Sequence, residues 1–192
     1  FRNFYGEHYA RSLSDLSRLI EALDEVDDEY PHKGLEYIWP GIAYYRFRDF
    51  DKALYYFSRG LSYRKPEAAG YIRSNYMRAW SYLAAYHHER GNLDSAAYYN
   101  RTILASSEGR TQFQEHLDFA VCNLGRIEMQ RSNYDGAIVL MEAGLENIEK
   151  DERSFEFMCG VNISLGECYL AKGDIRTAAY FIDKARNGIP QY

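Results

Sequence analysis

Apolar positions along this chain recur at the three- and four-residue spacing of helices, and short polar turns interrupt them at regular intervals. Near the start, Leu13, Leu16, Ile20 and Leu23 fall three, four and three residues apart, which predicts an amphipathic helix ended before Pro31. Further on, one short phrase returns four times: Arg48-Asp49-Phe50-Asp51-Lys52-Ala53, Gly91-Asn92-Leu93-Asp94-Ser95-Ala96, Ser132-Asn133-Tyr134-Asp135-Gly136-Ala137 and Gly173-Asp174-Ile175-Arg176-Thr177-Ala178. Its closing alanines lie 43, 41 and 41 residues apart. In each copy a small or turn-permissive residue ends one helix, an Asp or Asn offers an oxygen to cap the next, and a large apolar residue then enters the core. The phrase is therefore a helix-to-helix turn. Twelve residues before each closing alanine stands Gly41, Ala84, Gly125 or Gly166, and a small residue at the same place in every copy implies close helix packing there.

These turns predict helices at about 35–48 and 50–63, 68–90 and 93–106, 111–131 and 134–149, and 154–172 and 175–187. The polar stretches Lys65-Pro66-Glu67, Ser106-Ser107-Glu108-Gly109-Arg110 and Glu149-Lys150-Asp151-Glu152-Arg153 lack apolar periodicity and separate the pairs. Residues 1–30 then form a capping helix, or the second half of a truncated repeat. Residues 34–190 form one continuous domain of four pairs, at about 34–67, 68–108, 109–150 and 151–190.

The repeated pattern resembles the tetratricopeptide repeat, whose first helix carries W-x2-L-G-x2-Y and whose second carries A-x3-F with a later proline. Trp80-Leu83-Ala84 and Leu165-Gly166-Tyr169 match the first signature best, Ala53 with Phe57 gives the second, and Pro190 stands where the closing proline belongs. Asn100, Met141 and Ile182 depart from it by replacing the second-helix aromatic, Tyr86 with His87 reads as a local exchange, and Pro40 intrudes on the first copy. The resemblance implies an all-α fold, a right-handed superhelical α-solenoid of helix hairpins. The spacing exceeds the usual length of about 34 residues by roughly two helical turns. Long-repeat arrays of this kind resemble the repeat regions of bacterial regulators and peptide sensors, and also cargo adaptors.

In that family one stripe of each first helix lines a concave wall. Carried onto this chain, the stripe gives Ile38, Ile42, Tyr45 and Arg46; Arg78, Ser81, Ala85, His88 and Glu89; Phe119, Cys122, Arg126, Met129 and Gln130; and Ile163, Glu167 and Leu170. Arg46, Arg78 and Arg126 would offer planar cations to acidic side chains or a terminal carboxylate. Tyr45, Phe119 and Met129 would add apolar contact area. The competing reading leaves the arginines solvated or paired with Glu89 and Glu167, and the apolar residues as helix packing.

Composition narrows the function. A net charge of -5, from 23 Lys and Arg against 28 Asp and Glu interspersed along the chain, gives no basic face for nucleic acid. No apolar run is long enough to span a bilayer. Nineteen tyrosines suit half-buried surfaces between helices. Cys122, Cys159 and Cys168 form neither a disulfide framework nor a zinc pattern and read as packed apolar residues, compatible with the favoured cytoplasm or with periplasm. Consecutive His87 and His88 diverge by about 100 degrees on a helix, so they do not chelate a metal. The run Asp24-Glu25-Val26-Asp27-Asp28-Glu29 reads as a solvated helix end. No catalytic motif is present and no cofactor is implied; a phosphatase-like activity, known in some long helical repeats, lacks an acidic-amide constellation here.

The leading expectation is a scaffold that grips a protein or peptide partner along its groove, without being an enzyme. The alternative is the ligand-sensing region of a bacterial transcriptional or signalling regulator whose output domain lies elsewhere. A chain opening on Phe1 is read as a segment of a longer one. Oligomeric state is left open.

Overall fold

A computed structural model describes residues 2–30, 32–65, 70–107, 113–148 and 155–187. Among them, every regular element is a helix: α1 Arg2–Glu25, α2 Lys33–Arg46, α3 Phe50–Ser62, α4 Gly70–Glu89, α5 Leu93–Ser107, α6 Gln114–Gln130, α7 Tyr134–Ile148, α8 Phe155–Ala171 and α9 Ile175–Asn187. The eight helices expected after the first are all present, within a few residues of their expected ends. Pro31, Pro66, Pro190 and most of the two later polar loops lie outside the described residues. Pro40 sits inside α2 without ending it. Among the described residues, no helix is long and apolar enough to cross a membrane.

The four turns share one backbone solution. Arg48, Gly91, Ser132 and Gly173 all adopt positive φ, at 61, 73, 62 and 81°. Each closes its helix with two bonds: in the first turn Arg48 N–H donates to the Tyr45 carbonyl and Asp49 N–H to that of Tyr44, and the same pairing recurs at 91–92, 132–133 and 173–174. The next residue ends one helix and caps the other. Asp49, Asn133 and Asp174 accept from the backbone N–H three residues on, at 3.3, 3.3 and 3.1 Å. The closing alanines Ala53, Ala96, Ala137 and Ala178 then donate the first helical bond to the carbonyl of that capping residue. Because a left-handed conformation strains any residue with a Cβ, Ser132→Gly is expected to stabilise the chain by about 0.5–1 kcal/mol. A urea titration reads the change, and a loss of stability would contradict the assigned strain.

The chain divides into two compact units, Phe1–Leu83 and Ala84–Tyr192, with the boundary inside α4. In the first, α1 packs on α2, and α2 on α3. Phe57, Ile38, Tyr37 and Met77 are fully buried. Tyrosines fill the helix interface as expected of half-apolar rings: Tyr37 stacks with Tyr63 at 5.9 Å, and Tyr44 with Tyr56 at 5.5 Å.

The acidic run at the end of α1 is not merely solvated. Tyr37 donates to Asp24 at 2.8 Å, Arg59 pairs with Asp24 at 2.7 Å, and buried Lys33 pairs with Asp28 at 2.8 Å. Tyr63 also donates to Asp28, whose carboxyl is held below its ordinary range by these two bonds. These contacts fasten the end of α1 and the residues after it to the first pair, where Lys33, Tyr37, Arg59 and Tyr63 present donors.

In the second unit, Cys122, Met141, Leu145, Val161, Leu165 and Cys168 form the core of the last two pairs. The cysteines are free, and Cys122 and Cys168 behave as packed small apolar residues; burial pushes their thiols up to about 12 and about 11.

Candidate functional site

The recurring small residue and the side chain four positions after the closing alanine turn out to be partners. A Cβ on Gly41 would stand 2.6 Å from the Phe57 ring, one on Gly125 2.6 Å from Met141 Cγ, and one on Gly166 2.8 Å from Ile182 Cδ1. Glycine therefore lets the second helix of three of the pairs lay its side chain directly on the first. The second pair differs, with Ala84 in one place and Asn100 in the other, and both line a cavity.

Two concave sites follow, one in each unit. In the first unit, Trp39, Ile42, Ala43 and Arg46 share one face of α2 and meet Phe47 with Arg78 and Tyr82 of α4 around a cleft of about 440 Å³. Trp39 is 43% exposed although its neighbours on α2 are core residues. The Arg78 guanidinium lies 5.6 Å from the Trp39 ring centroid. Tyr82 is held by Phe57, stacked at 5.7 Å, and by Tyr45 at 4.9 Å. The floor is thus braced by the core, while the Trp39–Arg78 wall faces outward.

In the second unit, Ala84, Ala85, His88 and Glu89 of the last turns of α4 meet Asn100 of α5 and Asn123 and Arg126 of α6 around a smaller cavity of about 150 Å³. Asn100 is 1% exposed and donates to the Ala96 carbonyl at 2.9 Å. Its Oδ1 and the Nε2 of His88 are buried with no hydrogen-bond partner among the described residues.

The expected wall residues therefore separate. Arg46 and Arg78 come together, and Arg126 lines a different site with His88 and Glu89. Tyr45 packs edge-on to Phe50 and against Tyr82; Phe119 meets Phe157 edge-on at 4.5 Å; and Met129 lies against the core of the second unit. All three act in helix packing. Ile38 and Cys122, carried over with the stripe, are fully buried. Gln130 and Glu167 are exposed and line neither site. Among the described residues, none of Arg46, Arg78 and Arg126 forms an ion pair. Trp39 and Asn100 were missed, though both left signals: Trp39 has the helical spacing of Ile42, Ala43 and Arg46, and Asn100 is polar where an aromatic belongs.

Burial, and then the neighbouring charge, depress both imidazoles: Arg90 acts on His87, and Arg126 on His88, where Glu89 opposes it. With folded pKa values below the ordinary 6.5, the unfolded chain binds more protons in that window, so stability rises with pH through it. Thermal midpoints are accordingly expected to fall as pH drops from about 7.5 to about 5.5, before any carboxylate titrates. A flat profile over that range would show the imidazoles to be freely solvated.

No protein-family model matches the chain, and no curated protein matches it in sequence. Solved structures do. The apo form of RapI is 17% identical, with a TM-score of 0.79 over 97% of this chain; BtubC (BKLC) from P. vanneervenii is 19% identical, with a TM-score of 0.74 over 100%. The fold is that of tetratricopeptide-like helical repeats. The chain spans 66% of the length of RapI and 79% of BtubC.

Proposed function

We propose that this chain is a binding scaffold for a protein or peptide segment and acts by recognition rather than catalysis. The observation that carries the reading is the outward-facing Trp39 with Arg78 against its ring and Arg46 on the same cleft. Tryptophan, tyrosine and arginine dominate binding energy at interfaces, because each joins a large apolar area to a directional donor. A cleft with an aromatic platform and two arginines that form no ion pair among the described residues selects a partner with an apolar side chain beside a carboxylate. Free buried thiols suit a reducing compartment, and in this reading the scaffold works in the cytoplasm.

The fold likeness to RapI and the long repeat favour a second reading, in which the segment is the sensing region of a longer bacterial regulator and ligand capture drives an output domain outside it. Both readings use the same cleft. Selection from a random peptide library is expected to enrich acidic residues next to aromatic or aliphatic ones. Trp39→Ala, or Arg46→Gln with Arg78→Gln, should weaken a selected peptide by about tenfold or more, and added salt should weaken it further. Peptides without that chemistry, or variants that bind as well as the parent, would remove the cleft from the function.

A further inference from the structure

The cavity of the second unit has an origin in the repeat itself. Three pairs put Phe57, Met141 or Ile182 onto a glycine of the preceding helix, while the second pair puts the shorter, polar Asn100 opposite Ala84. At that place lies a cavity of about 150 Å³, well above the roughly 10–15 Å³ that one water requires, and Asn100 adds a buried polar group to its lining. A buried amide oxygen without a partner costs stability, so a pair that merely needed filling would be better served by an apolar side chain.

The lining specifies what it takes. Arg126 presents a permanent positive charge with forked donors and forms no ion pair among the described residues. Asn100 Oδ1 is an acceptor with no donor among the described residues, and His88 Nε2 is likewise buried without a partner among them. Glu89 brings a negative charge to the rim. A simple anion would satisfy Arg126 but set negative charge against the Asn100 oxygen and Glu89. A metal or organic cation would be repelled by Arg126. A group carrying a carboxylate and an N–H donor one carbon apart satisfies both sides at once. We propose that this cavity binds a small free α-amino acid, its carboxylate on Arg126 and its ammonium on Asn100 Oδ1 and the Glu89 side. The volume suits glycine, alanine or serine rather than a large side chain. The site lies within the second unit and does not depend on the Trp39 cleft.

Calorimetric titration of the whole chain with glycine, alanine and serine tests this. At least one is expected to bind with a Kd of about 1 mM or tighter. Arg126→Gln, at a partly exposed position that the fold does not need, should weaken it by about tenfold or more. Asn100→Met, which restores the apolar filling of the third pair, should abolish binding while the helical circular dichroism and thermal midpoint are kept. Arg78→Gln, in the other cleft, should leave it unchanged. N-acetylalanine keeps the carboxylate but lacks the ammonium and should bind about tenfold more weakly or worse. The proposal is overturned if none of the three amino acids binds, if Arg126→Gln or Asn100→Met binds as the parent does, or if N-acetylalanine binds as well as alanine, which would make the site a reader of peptide termini.

Discussion

Phe57→Ala is expected to lower the unfolding free energy by about 3–5 kcal/mol, enough to unfold a large fraction of a marginally stable chain. Phe57 has no exposed surface, lies on Gly41 and stacks with Tyr82 at 5.7 Å. Its removal withdraws a full aromatic side chain from α2, α3 and α4 together. The glycine opposite it has no side chain to move into the space, so the cavity persists and its cost adds to the lost burial. Urea denaturation followed by circular dichroism measures the change. A loss below about 1 kcal/mol would mean that the first unit collapses around the hole and that the glycine–aromatic contact is not what seats α3 on α2.

The second large effect lies at Gly144. There α7 crosses α6 so closely that a Cβ would collide with Cys122 Sγ and stand 2.8 Å from the Asp118 carbonyl oxygen. The carbonyl belongs to a helix backbone and cannot swing aside. Gly144→Val is expected to destabilise by about 3 kcal/mol, since its Cβ already meets a fixed backbone oxygen and the branches add volume to a closed contact. Gly160 supplies the contrast: a Cβ there meets nothing within 4 Å, so Gly160→Ala is expected to be neutral or to stabilise by about 0.5–1 kcal/mol through helix propensity alone. Equal effects of the two substitutions would show that glycine serves backbone freedom at both places, rather than close approach at one.

Close approach of this kind is also what local spacing along one helix does not contain. The stripe carried over from the family resemblance put Arg46, Arg78 and Arg126 on one wall and named Tyr45, Phe119 and Met129 as ligand contacts, and each of these last three packs against a neighbouring helix. A stripe on one helix has two flanks. Which flank meets solvent depends on where the next helix lies, and that is a property of the stack rather than of the helix. Trp39 shows the converse: it belongs to the helical face of Ile42, Ala43 and Arg46, yet the carried-over stripe of Ile38, Ile42, Tyr45 and Arg46 passes it by.

From its sequence alone the chain determined its helices, its four turns and the recurring places of close helix packing, because these depend on side-chain oxygens, backbone freedom and volume within a few tens of residues. The tertiary structure decided the rest. It tied Asp24 and Asp28, in the acidic run at the end of α1, to Lys33, Arg59 and two tyrosines, placed Arg126 at a different cavity from Arg46 and Arg78, and buried Asn100 with one oxygen unpartnered among the described residues. Apart from the local Lys33–Asp28 pair, these outcomes rest on contacts between side chains distant along the chain or on the exclusion of water between helices. Neither is encoded in local periodicity, and both arise only when the helices meet.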